Sequence, residues 1–197
     1  MKLEPLLNNK INSIIEQYSS GYIQESLEAI EILISEYPKE SLLHNISGVI
    51  YKASGQLELA IQSFKKAVAI KLDFADAHYN LGLAFQELNQ FDNAVKSYEM
   101  TLSIQSNYAK AHNNLGIIYK ELSQMNDAVK SYKKALSIDP DYAEAHNNLG
   151  NIFFELGKFD EALKCYNQSL KIYPDYLEVH NNLGNIFFEL GKFDEAL

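Results

Sequence analysis

The sequence contains no arginine, so all 17 basic residues in the 197-residue chain are lysines. A chain without arginine lacks the planar guanidinium group that most often binds phosphate and carboxylate through paired hydrogen bonds. Acidic residues outnumber basic ones, and the net charge is -9. Because nucleic-acid binding needs clustered cations, we expect no nucleic acid among the partners of this protein.

Cysteine and long apolar runs are scarce as well. Cys165 is the only cysteine, which excludes an internal disulfide and fits a reducing compartment. No run approaches the roughly 18 apolar residues of a membrane span. At the N-terminus, Glu4, Pro5 and three asparagines interrupt the apolar core that a signal peptide would need. These features predict a cytoplasmic protein without a membrane partner.

The few histidines and glycines recur at a fixed interval of 34 residues. They are His44, His78, His112, His146 and His180, followed four residues later by Gly48, Gly82, Gly116, Gly150 and Gly184. The other four glycines are Gly21, Gly55, Gly157 and Gly191. The stretch HNNLGNIFFELGKFDEAL at 146–163 returns unchanged at 180–197. A fixed period between 20 and 50 residues marks a repeat array, in which each unit contacts its neighbours.

This period divides the chain into successive units. We predict a leader at 1–6, a divergent N-terminal unit at 7–40, full units at 41–74, 75–108, 109–142 and 143–176, and an incomplete unit at 177–197. The incomplete unit contains a first helix and about one turn of a second. Because so short a helix leaves an apolar face uncovered, we expect the array to be truncated at Leu197.

Each full unit has the pattern of two helices, as the unit at 143–176 illustrates. One face of its first helix carries residues three or four positions apart, namely Ala145, His146, Leu149, Gly150 and Phe153. Gly157 is placed to end that helix in the left-handed conformation, and Asp160 to cap the second helix. Pro174 closes the unit. The sequence therefore predicts an all-α fold, an α-solenoid of stacked antiparallel helix pairs.

These residues resemble the tetratricopeptide repeat. In the unit at 109–142 the family pattern reads His112, Leu115, Gly116, Tyr119, Ala128, Tyr132, Ala135 and Pro140, with histidine in place of the first aromatic residue. The resemblance covers residues 7–197. It implies that the helix pairs form a right-handed superhelix and that the first helix of each repeat lines a concave groove.

The side of each first helix opposite the apolar face carries the candidate binding residues. At 100° per residue these residues point away from the core. They are Asn80, Asn113, Asn114, Asn147, Asn148, Asn151, Phe154, Asn181, Asn182, Asn185 and Phe188. An asparagine side chain offers a donor and an acceptor, so a ladder of asparagines can pair with a peptide backbone. The alternative is that these asparagines only face water and reflect codon usage and recent duplication.

No catalytic or metal-binding constellation accompanies this pattern. The sequence has no nucleophile–base pair, no glycine-rich phosphate loop and no CxxC motif. One histidine per unit places neighbouring histidines about 8–10 Å apart, the spacing of packed helices, which is too far for two ligands of one zinc ion. We therefore expect no catalytic residue, no metal and no cofactor, and we interpret the histidines as core or half-buried residues.

Three functional hypotheses follow. The first is a scaffold that binds a peptide or a partner protein in the groove and has no chemistry of its own. The second is the substrate-recognition part of a larger glycosyltransferase, sulfotransferase or methyltransferase. The motif NNLGN supports it, because it resembles the repeats of O-linked N-acetylglucosamine transferases and their bacterial relatives. The third is self-association through the exposed C-terminal end.

Overall fold

The computed structural model describes residues 5–191, which form eleven α-helices and no β-strand. The helices are α1 (Pro5–Ser19), α2 (Ile23–Glu36), α3 (Ser41–Ala53), α4 (Leu57–Ile70), α5 (Ala75–Glu87), α6 (Phe91–Ile104), α7 (Ala109–Glu121), α8 (Met125–Ile138), α9 (Ala143–Glu155), α10 (Phe159–Ile172) and α11 (Leu177–Glu189). They group into two compact units, α1–α6 and α7–α11, divided at Ser106. The predicted all-α fold of helix pairs is confirmed. Within the described range, every helix is too short or too polar to cross a membrane.

The helices start at the predicted interval, with one difference at the N-terminus. The first helices α3, α5, α7 and α9 begin at Ser41, Ala75, Ala109 and Ala143, each 34 residues after the last. Helix α1 begins at Pro5, so Pro5 and Leu6 belong to a helix and not to a leader. Proline fits the first position of a helix because its missing N–H would have no partner there. Residues 1–4, and the predicted second helix of the unit at 177–197, lie outside the described range.

A left-handed residue ends the first helix in the four full pairs. After α9, the amide of Gly157 donates to the carbonyl of Phe154 at 2.9 Å, and that of Lys158 donates to Phe153 at 2.8 Å. This pair of bonds satisfies carbonyls that the helix end would leave free, and it needs a positive φ. Gly157 has φ +69°, whereas Ser123 adopts φ +59° in the same role after α7. The prediction that this position ends each first helix is therefore confirmed.

The start of the second helix differs from the prediction. Helix α10 begins at Phe159, and its capping residue Lys158 makes no side-chain capping bond. Asp160 was expected to be the cap, and this was wrong because Asp160 already lies inside the first turn. Its carboxylate there favours the helix through the positive end of the helix dipole.

Each full pair is held together by a glycine that faces an aromatic ring. A Cβ atom built on Gly116 would lie 2.6 Å from the Cε1 atom of Tyr132, and one on Gly150 would lie 2.5 Å from that of Tyr166. Tyr132 and Tyr166 are almost fully buried. The backbone of the first helix therefore rests directly on the ring of the second helix. Gly48 with Phe64 and Gly82 with Tyr98 repeat this contact in the first unit.

Cys165 belongs to the apolar packing of α10. It is half-buried and lies against the core formed by Ala128, Tyr132, Leu149 and Ile152. Burial raises the pKa of its thiol to about 11, so the thiol stays protonated at neutral pH and lacks the thiolate that reacts as a nucleophile. Packing is therefore the role that this environment supports.

Replacing Gly116 by Leu should destabilise the α7–α8 pair, because the new side chain would overlap the ring of Tyr132. Overpacking of this kind costs about 1–3 kcal/mol. Thermal unfolding followed by circular dichroism measures the effect. The control is Lys110→Leu, an exposed position on the same helix. An unchanged melting temperature for Gly116→Leu would contradict the proposed close contact.

Replacing Ser123 by Gly should stabilise the protein. A left-handed backbone costs a residue with a side chain about 1–2 kcal/mol. Glycine also lowers the stability by about 0.4–1 kcal/mol, because it gives the unfolded chain more conformational freedom. The difference predicts a net gain of about 0.5–1 kcal/mol in urea denaturation. Asn89→Gly, with φ +54° in the wild type, should gain less because asparagine tolerates this conformation. A lower stability of Ser123→Gly would show that the left-handed backbone of Ser123 is not strained in the wild type.

Candidate functional site

Two of the predicted binding residues, Asn113 and Asn147, are fully buried, with 0% exposure. The expectation that they point away from the core was therefore wrong. They lie on the flank of their helix that faces the first helix of the next pair, and that neighbour covers them. A single helical wheel separates core from solvent but does not show which flank a later helix will cover.

Asn113 and Asn147 join successive first helices within the α7–α11 unit. The Nδ2 atom of Asn147 donates to Glu178 at 2.8 Å, and its Oδ1 atom accepts from Asn182 at 3.0 Å. Asn113 likewise donates to Glu144 at 3.2 Å and accepts from Asn148 at 3.2 Å. We call each set of one buried asparagine, one glutamate and one asparagine an Asn clasp. Each clasp satisfies a buried amide and stabilises the stacking of neighbouring pairs.

The α1–α6 unit has a related contact that the sequence analysis missed. Asn80 donates to Asn45 at 3.0 Å, and Asn45 is buried. Asn45 stands 68 residues before Asn113, the equivalent position two repeats later, and this periodicity is the signal that could have identified it. On the same helices, Lys52 forms an ion pair with Glu87.

The remaining predicted residues differ in exposure. Asn181, Asn185 and Phe188 are exposed, whereas Asn114 is buried. The half-buried ones are Asn80, Asn148, Asn151, Phe154 and Asn182. Except for Asn80, the exposed and half-buried predicted residues therefore all lie on α9 and α11.

A cleft of about 210 Å³ lies on this part of the second unit. Its lining consists of Lys120, Asn151, Phe154, Glu155, Tyr166, Asn182 and Asn185. We call it the α9–α11 cleft. It brings together four of the predicted residues, namely Asn151, Phe154, Asn182 and Asn185. The other three lining residues, Lys120, Glu155 and Tyr166, were not among the predicted site residues.

The amide of Asn151 is held in one orientation at this cleft. Its Oδ1 atom accepts hydrogen bonds from the hydroxyl of Tyr166 at 2.7 Å and from Asn182 at 2.9 Å. Burial raises the pKa of Tyr166, so the phenol remains a donor at all physiological pH values. Because both donors bind the oxygen, the Nδ2 group of Asn151 is left without a partner among the described residues. It is available to donate to a ligand.

The walls of the α9–α11 cleft are one apolar surface and one ion pair. The ring of Phe154 lies 5.7 Å from that of Phe159, in a tilted arrangement. The Nζ atom of Lys120 lies 2.8 Å from the Oε1 atom of Glu155, and both side chains are partly exposed. An exposed pair of this kind contributes little to stability. Its two charges can therefore exchange partners with a ligand at small cost.

Four histidines form hydrogen bonds to the turns that connect successive repeats. The Nε2 atom of His146 lies 2.9 Å from the carbonyl oxygen of Pro140, and that of His180 lies 2.8 Å from Pro174. His44 and His78 make the same contact with Pro38 and Leu72. Since a carbonyl oxygen can only accept, the ring nitrogen must donate. His44 is buried, His78, His112 and His146 are half-buried, and His180 is exposed, so the core interpretation was wrong for His180.

The described part of the chain holds no group of three or more His, Cys, Asp or Glu side chains that could bind a metal ion. The four histidines described above each use one ring nitrogen for a turn carbonyl. Their arrangement serves the backbone of the repeat and does not form a shared centre.

Comparisons with known proteins place these repeats in a family. A family model described as "TPR repeat" matches residues 48–89, 118–157 and 150–191. A second model, "Tetratricopeptide repeat", matches residues 75–108. Together these matches cover more than half of the chain. A comparison with curated protein sequences gives no match.

Solved structures share the fold at low sequence identity. The crystal structure of MamA matches with a TM-score of 0.75 and 22% identity, over 90% of this chain and 99% of MamA. PilF of Pseudomonas aeruginosa matches with a TM-score of 0.87 and 13% identity, over 96% of this chain and 86% of PilF. YrrB, a TPR protein with an unusual peptide-binding site, matches with a TM-score of 0.68 and 19% identity, over 86% of this chain and 88% of YrrB.

These similarities establish the solenoid architecture. The resemblance to O-linked N-acetylglucosamine transferases is not tested by the matches and stays a prediction. The matched residues, the glycine–ring contacts and the 34-residue spacing of the helix pairs agree with one another. The chain therefore belongs to the tetratricopeptide repeat family.

Proposed function

We propose that this chain is a protein-interaction scaffold and that the α9–α11 cleft binds an extended segment of a partner protein. The observation that carries the proposal is the amide of Asn151, whose oxygen is held by two donors while its NH₂ group has no partner among the described residues. A donor fixed in this way loses little freedom on binding, which favours affinity.

A peptide backbone supplies what the cleft needs. A backbone carbonyl can accept from the Nδ2 group of Asn151. The exposed amide of Asn185 on α11 offers both a donor and an acceptor, so it can pair with a peptide unit. Because these bonds involve only the backbone, the cleft can accept different sequences.

Side-chain selectivity comes from the walls of the cleft. The ring of Phe154 offers an apolar surface for one side chain of the peptide. The helices α7, α9 and α11 carry Glu121, Glu144, Glu155, Glu178 and Glu189 against Lys110 and Lys120. This excess of negative charge favours neutral or basic peptides and disfavours acidic ones. YrrB, which has the same fold and a peptide-binding site, supports a peptide as the class of ligand.

Replacing Asn151 and Asn185 together by Ala should weaken peptide binding by about tenfold or more, the effect of one or two lost hydrogen bonds. Peptides selected from a random-sequence display library on the wild-type chain provide the ligands, and fluorescence anisotropy measures their affinity. The matched control is Asn167→Ala, an exposed asparagine on α10. Equal affinities of the double variant and the wild type would refute the α9–α11 cleft as the binding site.

Replacing Asn147 by Ala should instead lower the free energy of unfolding. The change leaves Glu178 and Asn182 without their clasp partner, which predicts a loss of about 1–3 kcal/mol. Urea denaturation measures this loss. Asn167→Ala should change stability by no more than about 0.5 kcal/mol, as is usual for an exposed position. If both variants were equally stable, the Asn clasp would have no structural role.

A further inference from the structure

The amide of Asn182 is held in one orientation, as that of Asn151 is. Its Nδ2 group carries two hydrogens, and the structure uses both, one toward Asn147 at 3.0 Å and one toward Asn151 at 2.9 Å. Its Oδ1 atom has no hydrogen-bond partner among the described residues. The α9–α11 cleft therefore contains one oriented donor, the Nδ2 group of Asn151, and one oriented acceptor, the Oδ1 atom of Asn182.

Both atoms can be reached from the α9–α11 cleft. Asn151 and Asn182 are half-buried and line it. Within residues 5–191, the only side-chain oxygen or nitrogen that is both inaccessible and unpartnered belongs to Gln17. The unpartnered atoms of the two asparagines are therefore accessible to solvent, and a ligand in the cleft can contact them.

The donor and the acceptor lie close to each other. The Nδ2 atom of Asn182 is 2.9 Å from the Oδ1 atom of Asn151, and the nitrogen and oxygen of one amide are about 2.3 Å apart. The Nδ2 atom of Asn151 and the Oδ1 atom of Asn182 are therefore at most about 7.5 Å apart. A ligand amide with a hydrogen bond at each end spans up to about 8 Å, so one such group can bridge them.

A primary carboxamide, the side-chain group of glutamine and asparagine, matches this pair. Its C=O and NH₂ groups share one edge of a plane, so it accepts from Asn151 while it donates to Asn182. A single trans peptide unit cannot do the same, because its C=O and N–H groups point in opposite directions. A carboxylate lacks the donor, and a guanidinium or ammonium group lacks the acceptor.

The burial of the lining residues favours a side chain over the backbone at this pair. Asn185 is exposed, whereas Asn151 and Asn182 are half-buried. A peptide backbone that pairs with Asn185 runs along the rim of the cleft. A backbone carbonyl can use the donor of Asn151, but it leaves the Oδ1 atom of Asn182 unpaired. A side chain that points from the rim into the cleft reaches both, and its methylene groups pack on the half-buried ring of Phe154.

We propose that the α9–α11 cleft prefers peptides that place the carboxamide of a glutamine or an asparagine between Asn151 and Asn182. This preference presupposes the peptide site of the proposed function. Peptides without the carboxamide still pair with Asn185 through their backbone, but they leave the oriented acceptor unused. A neutral carboxamide also leaves the ion pair between Lys120 and Glu155 intact. The partner is therefore a segment with glutamine or asparagine at one fixed position.

Peptides selected on the wild-type chain from a random-sequence display library provide the test. We expect them to align on one position that holds glutamine or asparagine far more often than the library does. In the tightest peptide, replacing that glutamine by methionine, or an asparagine by leucine, should weaken binding about tenfold, the effect of one or two lost hydrogen bonds. The corresponding acid, glutamate or aspartate, should bind at least as weakly because it cannot donate to Asn182. Fluorescence anisotropy measures each affinity.

Two variants of the chain separate the carboxamide from the backbone. Asn151→Ala removes the donor and one anchor of the Asn182 amide, so the carboxamide peptide and its apolar counterpart should bind with nearly equal affinity. Asn185→Ala, the matched control in the same cleft, should weaken both peptides by the same factor and keep the difference between them. Circular dichroism checks the helix content of both variants. If Asn151→Ala does not fold, the peptide substitutions on the wild-type chain decide alone.

Three results would contradict this preference. Selected peptides without a recurrent glutamine or asparagine, or equal affinities of a carboxamide peptide and its apolar counterpart, would show that the backbone alone occupies the cleft, and the peptide site itself would stand. An affinity difference that persists unchanged in Asn151→Ala would assign the carboxamide to another surface. Failure to select any binding peptide would overturn the proposed function and the carboxamide preference with it.

Discussion

The contact between a glycine of one helix and an aromatic ring of the next determines how each full pair is built. The Cβ position of Gly116 is only 2.6 Å from Tyr132, so no other residue allows the same approach. The ring in turn is almost fully buried inside the pair.

Asparagine serves two purposes on the first helices, and the helices of the next repeat decide which. Asn147 is covered by α11 and joins a clasp, whereas Asn151, one turn further on, reaches the edge of the α9–α11 cleft. The clasp bond from Asn182 also continues to Asn151. The structural amide and the accessible amide therefore belong to one hydrogen-bond network. Stacking of the repeats thereby orients the donor that we propose for peptide binding.

The first pair shows what happens when the glycine–ring contact is missing. Ile14 and Ile30 occupy the positions of the glycine and the ring, and both are buried, so the core is retained with aliphatic side chains. Gln17, however, stands where α9 has Phe153, and its Oε1 atom has no hydrogen-bond partner within residues 5–191. The same pair borders a cleft of about 280 Å³ between α1 and α2.

The sequence by itself determined the period, the helix pairs and the turns, because these depend on residues close in the chain. The position of Gly157 in the repeat predicts the left-handed turn, and the equivalent residues Asn89 and Ser123 also adopt it. The apolar spacing around Leu149 likewise predicts the buried face of α9. Only the tertiary structure decided that Asn113 and Asn147 are buried and that His146 binds a turn carbonyl. The physical reason is that the burial of a flank depends on a helix of the neighbouring repeat, and a helical wheel contains no information about that helix.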